Sequence, residues 1–200
     1  MSGDITVTSP SDDEIIAWWN WASKFPKNSS PFQPGWGNNG IDRNNQNQPQ
    51  DLFVFCLSCT AGVGGVDPEP RPLDAAKRSG REILVPVYVA GSEIDAATAK
   101  GLLGETHTVE FSINGKPQDS FYMETPVGSI EYVQDNSFEE EPGVFNPYFS
   151  AGYWAKVSSS GLENMQFGGH GGKQVEYIIS NGQKTAIDKG AFRTSVKYGN

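Results

Sequence analysis

The strongest helical period of apolar residues lies near the start of the chain; later apolar residues come in short runs separated by turn signals. Ser11-Asp12-Asp13-Glu14 opens the helix, with a serine cap, a glutamate three positions on and acids in the first turn. Ile15, Ile16, Trp19, Ala22 and Ser23 then share one face, and Trp18 and Trp21 widen it. Lys24 suits the C-terminal end, and Pro26 stops the helix near Phe25. Strands are predicted over 52–59, 82–89, 106–113, 121–125, 130–134, 153–157, 163–167, 174–180 and 192–197. Pro86 inside the second of these calls for an edge strand or a bulge. Short helices fit 73–79 and 95–103. Asn114-Gly115 reads as the turn of a hairpin between 106–113 and 121–125, Asn181-Gly182 as a further turn, and Gly168-Gly169-His170-Gly171-Gly172 as a permissive turn after a strand.

This order of elements predicts a mainly β fold: an antiparallel β-sandwich or jelly roll with an N-terminal helix and long loops. The helix would pack against one sheet or close one end. The 200 residues suit a single β-rich domain over 11–200 behind a flexible lead at 1–10. With 23 Gly, 13 Pro and 12% aromatic residues, a coiled coil, a helical bundle and a collagen-like chain are excluded. Residues 27–51 form a long polar loop, Asn/Gln-rich from Asn44 to Gln50, and 135–142 an acidic one.

Charge narrows the partners. Lys plus Arg number 15 against 24 Asp plus Glu, a formal charge of -9, so no broad cationic footprint for nucleic acid is expected. No apolar run is long enough for a transmembrane helix. The polar, acidic start is not a secretory signal peptide, which fits a cytoplasmic protein or an exported one without its leader.

Three blocks resemble an uncharacterised, often exported, β-rich bacterial family. They are Trp18-Trp19-Asn20-Trp21-Ala22 with Pro26 and Pro31; Gln48 with Phe55-Cys56-Leu57-Ser58-Cys59-Thr60 and the later Gly80-Arg81-Glu82-Ile83-Leu84-Val85-Pro86; and Ala151-Gly152-Tyr153-Trp154 with Gly161 and Phe167-Gly168-Gly169. The chain departs from that pattern at Ser30, at Ala151, where the family carries aspartate, and at Glu163 and Asn164, where it carries a His-Thr pair. The resemblance implies a β-sandwich-like domain and no particular reaction.

Candidate chemistry is sparse. Cys56 and Cys59 are the only cysteines; they read as reduced buried thiols, a disulfide across a turn, or a reactive thiol. His107 and His170, the only histidines, are candidate acid/base groups, alone or with a cysteine or carboxylate. The glycine-rich stretch around His170 matches neither a dinucleotide-binding nor a P-loop pattern, and no cofactor or metal is expected. Carboxylates suited to a glycosidase pair include Glu82, Asp95, Glu110, Asp119, Glu124 and Glu131, with no spacing that selects two of them. The leading expectation is a module that binds a small molecule or glycan through Trp18, Trp21, Trp36, Gln48, Tyr153, Trp154 and His170. A histidine-dependent enzyme and a protein-interaction or homo-oligomeric module are the alternatives.

Overall fold

The computed structural model describes residues 5–25, 47–54, 59–60, 63–66, 70–104, 107–131, 143, 145–171, 175–181, 183–188 and 190–199. Trp36, Cys56, the acidic loop at 135–142 and most of the loop at 27–51 lie outside them. The described elements are β1 (Val7–Thr8), α1 (Asp12–Ala22), β2 (Leu52–Val54), β3 (Cys59–Thr60), β4 (Val63–Val66), α2 (Asp74–Ser79), β5 (Glu82–Ser92) and α3 (Ala96–Leu103). There follow β6 (His107–Ile113), β7 (Lys116–Pro117), β8 (Phe121–Glu131), β9 (Phe145–Val157), β10 (Met165–Gly171), β11 (Val175–Ser180), β12 (Gln183–Asp188) and β13 (Phe192–Tyr198). The fold is mainly β, with two packed sheets and an N-terminal helix, as the sequence predicts.

One sheet has the order β1-β9-β5-β2, with β8 also paired to β9; the other runs β3-β4-β13-β10-β6-β7. β11 and β12 form a separate ribbon around Asn181, whose φ of 53° suits the turn. β9 holds the first sheet together, because it pairs antiparallel with β1, β5 and β8. Two pairs depart from the antiparallel expectation: β2 runs parallel to β5, and β4 parallel to β13.

The two faces of β9 carry different loads. Trp18 meets Trp154 edge-on at 5.4 Å, Trp19 meets Tyr148 at 4.9 Å, and Lys156 Nζ lies 3.1 Å from Glu14 Oε1. Strand side chains alternate, so α1 covers the face of Tyr148, Ser150, Trp154 and Lys156. The opposite face, with Ala151, Tyr153, Ala155 and Val157, turns toward the second sheet and α3. There Tyr88, Ala99, Leu103 and Ala151 form one buried cluster with Phe192 against it. Facing them, the inner row of the second sheet aligns Phe111, Phe167 and Val196.

The Ser11 cap forms as expected. Ser11 N–H donates to Glu14 Oε2 at 2.7 Å, and Glu14 N–H donates to Ser11 Oγ at 3.3 Å. Trp18, Trp19 and Trp21 are all buried, and each withdraws enough apolar surface to contribute roughly 4–6 kcal/mol of gross transfer free energy. Pro86 sits at a bulge: the β5–β9 register shifts between Pro86 and Tyr88, with Val87 the extra residue.

Three expectations are corrected. Asn114 (φ 50°) and Gly115 (φ 74°) do turn the chain, but β6 returns only into the two-residue β7. The chain then crosses to the first sheet, where β8 spans the ranges expected as separate strands up to Glu131, because all of it but the bulged Val127 has a partner in the long β9. Gly168 to Gly171 form no hairpin tip; they lie inside β10, between β6 and β13. Glycine is needed there for close approach, since a Cβ on Gly169 would stand 2.6 Å from Thr108 O and 2.8 Å from Tyr88 Cγ. The segment expected as a lead contains β1, which pairs Val7 with Val157.

Ser11→Ala should lower unfolding free energy by about 1 kcal/mol through loss of the cap. Gly169→Ala should cost about 1–3 kcal/mol by pressing its Cβ against Thr108 O in β6 and against the Tyr88 ring of the facing sheet. Urea denaturation followed by circular dichroism measures both.

Candidate functional site

Three tyrosines lie side by side across the first sheet. Tyr153 on β9 is the register partner of Tyr88 on β5 and of Tyr122 on β8. Direct partners share a face, so the row points to the side that the second sheet and α3 cover only in part. Tyr88 is 1% exposed and Tyr122 is 41% exposed, with Tyr153 between them. At the buried end, Tyr88 packs 6.1 Å from the Phe192 ring, and its hydroxyl donates to Gly171 O at 3.0 Å. At the open end, the Tyr122 and Tyr153 rings meet at 5.4 Å with an interplanar angle of 61°.

Polar groups gather at this open end. Glu124 follows Tyr122 by two positions on β8 and so lies on the same face, opposite Ala151. Tyr122 donates its hydroxyl proton to Glu124 Oε1 at 2.8 Å. Lys100 Nζ reaches the same oxygen at 3.1 Å and lies 5.7 Å from the centre of the Tyr122 ring. The second carboxylate oxygen, Oε2, takes no hydrogen bond among the described residues. Lys100 is brought there by α3. Asp95 caps that helix by accepting from Thr98 N–H at 2.7 Å, and Ala99 and Leu103 bury its inner face against Ala151 and Tyr88. The small side chain at position 151 lets α3 approach the sheet closely.

Electrostatics fix the protonation of the group. The Tyr122 hydrogen bond, then that of Lys100 and its positive charge, hold Glu124 below the ordinary carboxylate range. Partial burial, the hydrogen bond to Glu124 and the charge of Glu124 raise the Tyr122 phenol above its ordinary range. At neutral pH the site therefore presents a protonated phenol, an ionised carboxylate with one open oxygen and an ammonium group set over the ring of a part-exposed tyrosine.

Of the residues singled out in the sequence, Tyr153 belongs to this group. Trp18 and Trp21 lie in the core at 0% and 1% exposure, against Trp19, Trp154 and Phe25, and Trp154 is equally enclosed under α1. Gln48 grips the backbone: its amide donates to Val54 O at 3.0 Å and accepts from Val54 N–H at 2.8 Å, extending the edge of β2. His107 opens β6 opposite Gly171, and His170 lies exposed on β10 opposite Thr108, so the two histidines are not register partners. Cys59 lies in β3 opposite Gly64. Among the described residues, no three His, Cys, Asp or Glu side chains gather as a metal ion would require. Tyr122 and Lys100 were not anticipated, and Glu124 stood only as one of six carboxylates. The available signal was the Tyr122-Met123-Glu124 alternation, which puts a phenol and a carboxylate on one strand face.

No family model, curated protein or solved structure matches this chain.

Because the folded pKa of Glu124 is lowered, the stability its contacts contribute is present above the ordinary carboxylate pKa of 4.5 and is lost as pH falls through the folded value. Tyr122→Phe removes the largest cause of that shift. Carboxyl-detected NMR titration should show the Glu124 midpoint moving up toward 4.5, with Asp95, capped at α3, unchanged.

Proposed function

We propose that this protein binds a neutral glycan or a similar small polyhydroxylated ligand at the Tyr122 and Tyr153 platform. The observation that supports this most is the open end of the tyrosine row, where an exposed ring adjoins an ionised carboxylate and an ammonium group. A pyranose ring offers an apolar C–H face bordered by hydroxyls. The C–H face suits a tyrosine ring, and the hydroxyls can donate to Glu124 Oε2 and accept from Lys100. The nine-charge acidic excess of the chain disfavours polyanionic ligands in general.

Binding suits this group better than acid/base catalysis. A proton-transfer group works best with a pKa near the operating pH. Here the carboxylate is pushed down and the phenol up, so both hold their protonation state across the neutral range. They are arranged to hydrogen-bond rather than to exchange protons.

A panel of neutral oligosaccharides should produce saturable NMR shifts at the Tyr122 and Tyr153 ring resonances, with no turnover of the ligand. Tyr122→Ala should abolish the response while preserving the fold, since that residue is 41% exposed and outside the buried core. Glu124→Gln should weaken binding by roughly tenfold, the worth of a hydrogen bond to a charged group. Unmoved Tyr122 and Tyr153 resonances across the whole panel would refute the proposal.

A further inference from the structure

The outer face of the second sheet holds a second group of donors, separate from the tyrosine platform. His170 on β10 is the register partner of Arg193 on β13 and of Thr108 on β6. The three side chains therefore emerge on the same face of three adjacent strands, and all three residues are exposed. Adjacent strands are about 4.8 Å apart, so the row spans roughly 10 Å. The inner face of the same strands carries Phe167, Gly169, Val196 and Thr194, which fixes the outward direction of the row.

Neither the His170 nor the Arg193 side chain makes a hydrogen bond or ion pair among the described residues. That is notable for an arginine in a chain with 24 acidic and 15 basic side chains. The nearest acid by register is Glu110, half-buried on β6, two residues from Thr108 on the same face and opposite Gly168. The row thus offers a guanidinium fork, an imidazole N–H and a hydroxyl, with the Glu110 carboxylate to one side among the described residues. All three groups can donate, and the fork matches the spacing of two oxygens on one tetrahedral centre.

We propose that Arg193, His170 and Thr108 form a binding site for a small tetrahedral oxyanion, a phosphate group either free or as a monoester. Arg193 supplies the charge and a bidentate contact. His170 donates from the central strand, and Thr108 donates from the far side to an oxygen directed toward β6. Glu110 limits affinity by repulsion.

The test is an NMR titration of the His170 imidazole in the full chain with inorganic phosphate and, separately, with methyl phosphate, against sodium chloride at equal ionic strength. Saturable shifts with either phosphate and none with chloride are expected. Tighter binding of methyl phosphate would assign the site to monoesters, and tighter binding of the inorganic ion to free phosphate. Arg193→Gln should weaken binding by roughly tenfold, and Glu110→Gln should tighten it. Shifts that fail to saturate, that chloride reproduces, or that persist unchanged in Arg193→Gln would overturn the proposal. The Tyr122 and Tyr153 resonances should not move in this titration, so its outcome is independent of the glycan test.

Discussion

Strand β9 has to bury both of its faces, and the strict alternation of its side chains determines what each face can accept. Trp154 projects to one side and meets Trp18 edge-on, so α1 must lie there. Ala151 and Ala155 project to the other side, where small side chains admit α3 and the second sheet. A one-residue slip would exchange the two sets and place Trp154 where only alanine fits. Pairing with β1, β5 and β8 holds the register against that slip. The bulges after Pro86 and Pro126 adjust the neighbours, while β9 keeps its own alternation throughout.

The layer under α1 is largely aromatic. Its polar ties lie at the margin: Thr125 donates to Asp12 at 3.1 Å, and Lys156 bridges Glu14 at 3.1 Å and Glu82 at 3.4 Å. Within it, Trp154 Nε1 and Ser150 Oγ are buried without a hydrogen-bond partner among the described residues. Each such group costs on the order of 1–3 kcal/mol. Tolerating that cost implies that the area buried by the tryptophan cluster outweighs it. The tryptophans most conspicuous in the sequence are thus committed to holding the helix on the sheet.

The tyrosine row follows from the same geometry on the other face. Tyr88, Tyr153 and Tyr122 occupy equivalent register positions, yet their surroundings grade from core to solvent because the second sheet covers β5 more fully than β8. The buried tyrosine makes a hydrogen bond between sheets, and the exposed one donates to Glu124 at the open end of the row. Lys100 reaches Glu124 only because α3 is docked on Ala151, so the polar rim of the platform depends on the packing beneath it.

Local interactions made much of the fold legible. The capped Trp helix, the short helices at 73–79 and 95–103, the proline bulge and the Asn-Gly turns all depend on neighbours a few residues away, and each is found. Parallel pairing, the crossing of β8 into the first sheet and the central position of the glycine-rich β10 depend on partners far along the chain, which a local pattern does not encode. The candidate site divides in the same way. Tyr122 and Glu124 lie two residues apart on one strand, so their shared face could have been read from alternation. Their meeting with Tyr153 and Lys100 required strand register and helix docking. The sequence by itself determined the helices, most of the strands and the amount of aromatic surface to be buried. Only the tertiary structure decided which aromatics it buried and which it left to solvent, because coverage of a sheet face is set by long-range packing.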